Sequence, residues 1–96
     1  MLIVSCSHGR YLGPSIAKIL KANHSELFVS KFPDDELMVR FKDDVKGKSV
    51  ALIQSFYQNI SDCIVEAILA AETAHDLGAK KVILIAPYFP YLRQDK

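Results

Sequence analysis

The sequence predicts an α/β domain: a mostly parallel sheet flanked by helices. Three observations carry this. Short continuous apolar runs recur at residues 2–6, 49–53 and 82–86, the pattern of strands buried on both faces. Between them lie stretches with apolar residues at helical spacing, which cover such a sheet. The region near 28–41 departs from both patterns and reads as a projecting hairpin or edge strand.

Residues 2–6 are apolar and followed by Ser7-His8-Gly9, a buried strand and a turn. Leu12, Ile16, Ile19 and Leu20 predict a helix over 12–22, with Pro14 in the first turn, where its missing N–H costs little. Asn23 tolerates the left-handed conformation that ends helices. Leu27-Phe28-Val29 is a second strand. Residues 36–41 alternate, with Leu37, Val39 and Phe41 on one face and Glu36, Met38 and Arg40 on the other, a half-buried strand. A charged turn at 43–48 leads to the run 49–53. Ile60, Ile64, Ala67, Ile68, Ala71 and Ala74 form a long helical stripe. Asn59 or Ser61 can cap its start, and Gly78 stops it. Lys80-Lys81 leads into the last strand, closed by Pro87. The order is β-α-β-β-β-α-β.

The chain has 96 residues, half of them hydrophobic and 24% charged, with formal net charge +1. These values indicate one globular domain, residues 1–96. A balance this even gives no footprint for nucleic acid, and the apolar runs are too short to span a bilayer. No leader segment is evident, and a cytoplasmic location with Cys6 and Cys63 reduced is expected.

Ligands in open α/β sheets bind beyond the carboxyl ends of the strands. That rule nominates residues 5–9, 32–36, 54–59 and 87–96. Phe32-Pro33-Asp34-Asp35-Glu36 offers an aromatic face for a base and carboxylates for amines or ribose hydroxyls. Composition alone favours the plainer reading, an acidic turn entering a strand. Pro87-Tyr88-Phe89-Pro90-Tyr91-Leu92-Arg93-Gln94-Asp95-Lys96 is rigid and aromatic, then charged. Arg93 presents a planar fork for phosphates. The alternative is that its aromatics cover the end of the core. His8 is a loop histidine with no evident base partner, and His24 and His75 read as surface residues. Cys63 reads as a small core residue. No His/Cys/Asp spacing matches a metal site, and no Walker-type or GxGxxG loop is present.

Together these segments resemble the N-terminal domain of the ribose-phosphate diphosphokinase (phosphoribosyl pyrophosphate synthetase) family. Phe32-Pro33-Asp34-Asp35-Glu36 resembles the family's Phe-x-Asp-x-Glu loop. Gln54-Ser55 with Ser61-Asp62 and Glu66 resembles its Gln-Ser strand end and Asn-Asp…Glu helix start. The segment ending Arg93-Gln94-Asp95 resembles its Pro-Tyr-x-x-Tyr-x-Arg-Gln-Asp motif. The resemblance spans the whole chain and implies a phosphoribosyltransferase-like fold. It also implies transfer of diphosphate from ATP to ribose 5-phosphate, with magnesium. It assigns Phe32, Asp34, Glu36, Arg93 and Gln94 to ATP and a regulatory phosphate to Ser55. It implies a homo-oligomer in which the Phe32–Glu36 loop enters a neighbour's ATP site. Asp35 and Pro90 stand where the family commonly has glycine. The family's ribose 5-phosphate loop and magnesium ligands lie beyond Lys96, so these 96 residues are expected to be inactive alone, with no catalytic residue of their own. The competing readings are a non-catalytic nucleotide-binding regulator of a synthetase and a generic α/β module.

Overall fold

The structure, a computed structural model, describes residues 1–34 and 36–87. The elements follow the expected order: β1 (Leu2–Ser5), α1 (Gly13–Leu20), β2 (Asn23–Lys31), β3 (Leu37–Phe41), β4 (Ser49–Ile53), α2 (Ile60–Asp76) and β5 (Lys81–Ile85). They form a five-stranded sheet in the order β3-β2-β1-β4-β5. All neighbours are parallel except β2 and β3. The α/β architecture and the edge position of β3 are as the sequence predicts.

Alternation along β1 sorts the core into two layers. Leu2 and Val4 pack with Val50, Leu52 and Ala70 of α2. Ile3 packs with Ala51, Ile53 and Ala17 of α1. The two helices therefore cover opposite faces. From β1 the chain crosses through α1 towards β2, and from β4 through α2 towards β5, on the other side of the sheet. The crossovers diverge between β1 and β4, which makes that gap the topological switch point.

β2 is nine residues long and β1 only four. Residues Asn23 to Glu26 pair with β1, and Leu27 to Lys31 pair with β3. The second half of β2 thus runs about 17 Å past the carboxyl end of β1, at roughly 3.3 Å per residue. This is the projecting hairpin. Its inner face, with Val29, Val39 and Phe41, packs on the main core.

Several expectations change. The second strand begins at Asn23 rather than Leu27, because pairing with β1 outweighs the polarity of Asn23 to Glu26. The left-handed residue ending α1 is Lys21, φ 55°, so the helix is shorter than the 12–22 predicted. His24 is half-buried rather than a surface residue: its Nε2 lies 2.7 Å from the Oγ of fully buried Ser5. Asn59 does precede α2, yet it sits in the left-handed region without a side-chain cap bond.

The buried line of α2 is Cys63, Glu66, Ala67, Ala70 and Ala74. Ile68, placed in the stripe by periodicity, is 56% exposed. It borders an apolar groove of about 260 Å³ with Leu52, Ala67, Ala71, Val82 and Leu84. The reason is that β5 is an edge strand and α2 only partly overhangs it. Among the described residues no helix is long and apolar enough to cross a membrane.

Gly9 seats the β1–α1 turn against the end of β4. A Cβ there would lie 1.9 Å from the carbonyl oxygen of Ile53, which itself accepts from the Cys6 amide. Gly9→Ala is expected to destabilise the fold by about 2–3 kcal/mol, the cost of overpacking a fixed contact. Urea denaturation measures this; an unchanged midpoint would mean that the turn moves freely away from β4.

Candidate functional site

Two structures are built at the carboxyl edge of the sheet: a closed cluster at the switch point and the open hairpin tip. The cluster is held by α2. Glu66, 4% exposed, accepts from the Ser7 amide on Oε2 and from the Ser7 hydroxyl on Oε1, both at 2.7 Å. Gln54 is fully buried, and its Oε1 accepts from the His8 amide at 2.7 Å. Turn amides in this position are common anion-binding groups. Here Glu66 and Gln54 already occupy those of Ser7 and His8. Gln54 Nε2 is a buried donor with no hydrogen-bond partner among the described residues.

Cys63 donates to the Gln58 carbonyl at 3.3 Å, and its sulfur lies 2.7 Å from His8 Nδ1. With the thiol hydrogen directed at Gln58, the imidazole is the donor in that contact. Tyr57 packs on the His8 ring at 5.1 Å between centroids. Burial, then the Glu66 carboxylate, pushes the Cys63 thiol up. The same two causes push Cys6 up to about 12. Both cysteines are buried, free thiols, and a neutral buried thiol is a poor nucleophile. Cys63 is the core residue the sequence implies.

The hairpin tip is the opposite case. Phe32 is 43% exposed, and its amide donates to the Glu36 carbonyl at 2.8 Å. That bond closes the loop and brings residues 32 and 36 side by side. Asp34 Oδ1 accepts from the Glu36 amide at 3.2 Å, an Asx-type turn that sets the loop's shape. Phe32, Asp34 and Glu36 thus form one exposed, acidic, aromatic-bearing tip. Beside the tip, Lys31 Nζ lies 3.3 Å from Asp62 Oδ2 at the start of α2, and nearer the base of the ribbon Arg40 stacks on Phe28 at 5.2 Å. Ser55, two residues past the end of β4, is 7% exposed. Arg93 and Gln94 lie outside the described residues.

A family profile described as the N-terminal domain of ribose phosphate pyrophosphokinase matches residues 1–96. The chain belongs to this family. It is 33% identical over 96 residues to the ribose-phosphate pyrophosphokinase of Ureaplasma parvum, covering all of this chain and 29% of that protein. It is 34% identical to the Saccharolobus solfataricus enzyme of the same name, again along its full length and 33% of the relative's. The fold matches the crystal structure of phosphoribosylpyrophosphate synthetase from Mycobacterium smegmatis with a TM-score of 0.82 and 27% identity, over 99% of this chain and 32% of that one. A purine phosphoribosyltransferase from Pyrococcus horikoshii shares the fold, with a TM-score of 0.64 at 15% identity, over 88% of this chain and 58% of that one. The chain spans about a third of the length of the curated relatives it matches. The family and the phosphoribosyltransferase-like fold are those the motifs imply.

Sequence reasoning set Glu66 within a motif without seeing its work: a carboxylate in an otherwise apolar helix stripe was the signal. The roles of Ser7, His8 and Lys31 carry no such signal, since each depends on a partner 31 to 59 residues away.

Removing the Glu66 carboxylate leaves two donors unpaired. Glu66→Ala is expected to cost about 2–3 kcal/mol, the range for hydrogen bonds to a charged group, read from urea unfolding. The raised Cys6 value has a definite sign. The stability it reflects is present below the ordinary thiol value of 9.0 and is lost as pH climbs towards about 12. The melting temperature of the wild type should therefore fall more steeply above pH 9 than that of Cys6→Ala; parallel profiles would contradict the assignment.

Proposed function

We propose that this domain supplies part of the ATP site of a ribose-phosphate pyrophosphokinase, an enzyme transferring diphosphate from ATP to ribose 5-phosphate to give phosphoribosyl pyrophosphate and AMP. The observation carrying this reading is the Phe32–Glu36 tip, held clear of the sheet by the overhanging half of β2. An exposed Phe32 ring can stack on adenine. The Asp34 and Glu36 carboxylates can accept from the exocyclic amine and the ribose hydroxyls. Arg93 and Gln94 are assigned to the same nucleotide by their motif, with Arg93 towards the phosphates.

The hairpin's form also supports a shared site. A two-stranded ribbon reaching beyond its own sheet is suited to enter a neighbouring subunit, so the assembly is proposed to be a homo-oligomer with ATP between protomers. The chemistry is positioning and charge neutralisation, and this domain's share of it is positioning the nucleoside. No group of three His, Cys, Asp or Glu among the described residues can hold a metal. The family resemblance assigns the magnesium ligands and the ribose 5-phosphate loop to positions beyond Lys96. A regulatory phosphate at Ser55 would require the buried turn after β4 to open, since its side chain is 7% exposed.

Isothermal titration with ATP tests the site. Phe32→Ala should weaken binding by about 1–3 kcal/mol, the value of one base–aromatic stack, with little change in melting temperature because the ring is exposed. Equal affinity in both proteins would remove the tip from the nucleotide site. The 96-residue protein supplied with ATP, ribose 5-phosphate and magnesium is expected to form no phosphoribosyl pyrophosphate; product above background would overturn that expectation.

A further inference from the structure

The hairpin carrying the Phe32–Glu36 tip is anchored at its base, where Arg10 donates to the Leu27 carbonyl at 3.1 Å. Beyond Glu26, β2 has β3 as its strand partner, and a two-stranded ribbon is marginal by itself. Its inner face packs through Val29 and Val39, a contact that resists separation but is non-directional. A second polar tether lies at the outer end of the ribbon. Lys31, the last residue of β2 and immediate neighbour of Phe32, meets Asp62 in the first turn of α2 at 3.3 Å.

That turn of α2 is itself fixed. Cys63 holds His8, and Glu66, one turn further on, holds both donors of Ser7. The first turns of α2 therefore join the β1–α1 turn, the switch-point cluster and the outer end of the hairpin. We propose that Asp62 is a positioning residue for the nucleotide site: through Lys31 it sets the angle at which the hairpin presents Phe32 and its neighbouring carboxylates. This rests on the assignment of the tip to ATP.

The pair is exposed on both sides, 47% and 55%. Its effect on global stability is accordingly small, while a modest change in aim is felt fully by a ligand contacted at the tip. These two consequences separate positioning from a general structural role.

The experiment compares wild type, Asp62→Asn, the charge exchange Lys31→Asp with Asp62→Lys, and Phe32→Ala. ATP affinity is measured by calorimetry, and amide hydrogen exchange of residues 28–41 by NMR. Asp62→Asn is expected to weaken ATP binding by roughly 1.4-fold to fivefold, the span of an exposed ion pair, with melting temperature nearly unchanged. Exchange in residues 28–41 should quicken by a similar factor while that of β1 and β4 stays constant. The charge exchange should restore both. Raising salt from about 0.05 to 0.5 M should erase the difference between wild type and Asp62→Asn, since an exposed pair is screened.

If Phe32→Ala weakens ATP binding and Asp62→Asn does not, the positioning role is wrong and the site assignment stands. If Phe32→Ala has no effect, the tip does not bind ATP and the proposal falls with that assignment. Unchanged hairpin exchange in Asp62→Asn would overturn the tether whatever ATP does.

Discussion

The organising constraint is a mismatch of strand lengths. β1 has four residues and β2 has nine, so a parallel ladder between them must end at Glu26 with five residues of β2 still extended. Those residues keep a single ladder, to β3 on the opposite side. A change of neighbour in mid-strand converts an ordinary sheet edge into a projecting ribbon. The acidic tip is displaced from the sheet's carboxyl edge for this reason alone.

The two ends of the switch-point gap show how the same fold position can be opened or closed. In α/β sheets this gap is the usual ligand crevice. Here a carboxylate from α2 and an amide from the end of β4 take up the Ser7 and His8 amides, and the nearby thiols are buried and protonated. The polar groups are thus used to lock α2 and the β1–α1 turn together. The hairpin instead leaves Phe32, Asp34 and Glu36, the side chains proposed for ATP, exposed. A rigid base with an exposed tip is the division of labour expected when a binding group must reach beyond its own domain.

Much was legible in the sequence because it is local. Apolar runs, helical spacing and glycine punctuation each depend on residues within a few positions, so element order and type follow from them. The alternation Leu37, Val39, Phe41 marked an edge strand correctly, and the Phe32–Glu36 loop fell at a strand end as composition indicated. Asn23 to Glu26 was not legible as strand, because its polarity argues against one and only the β1 ladder explains it. Ile68 was misplaced because periodicity gives a helix an apolar stripe but does not say how far its neighbour extends.

The sequence alone determined the fold class, the family and the chemistry available at the tip: an aromatic ring and two carboxylates of known spacing. Tertiary structure decided where that chemistry points. The β1 ladder that β2 leaves at Glu26, the capture of Ser7 by Glu66 and the meeting of Lys31 with Asp62 each join residues 21 to 59 positions apart. Such pairings are set by sheet order and helix placement, which no short stretch of sequence encodes, because they arise only when the whole core closes.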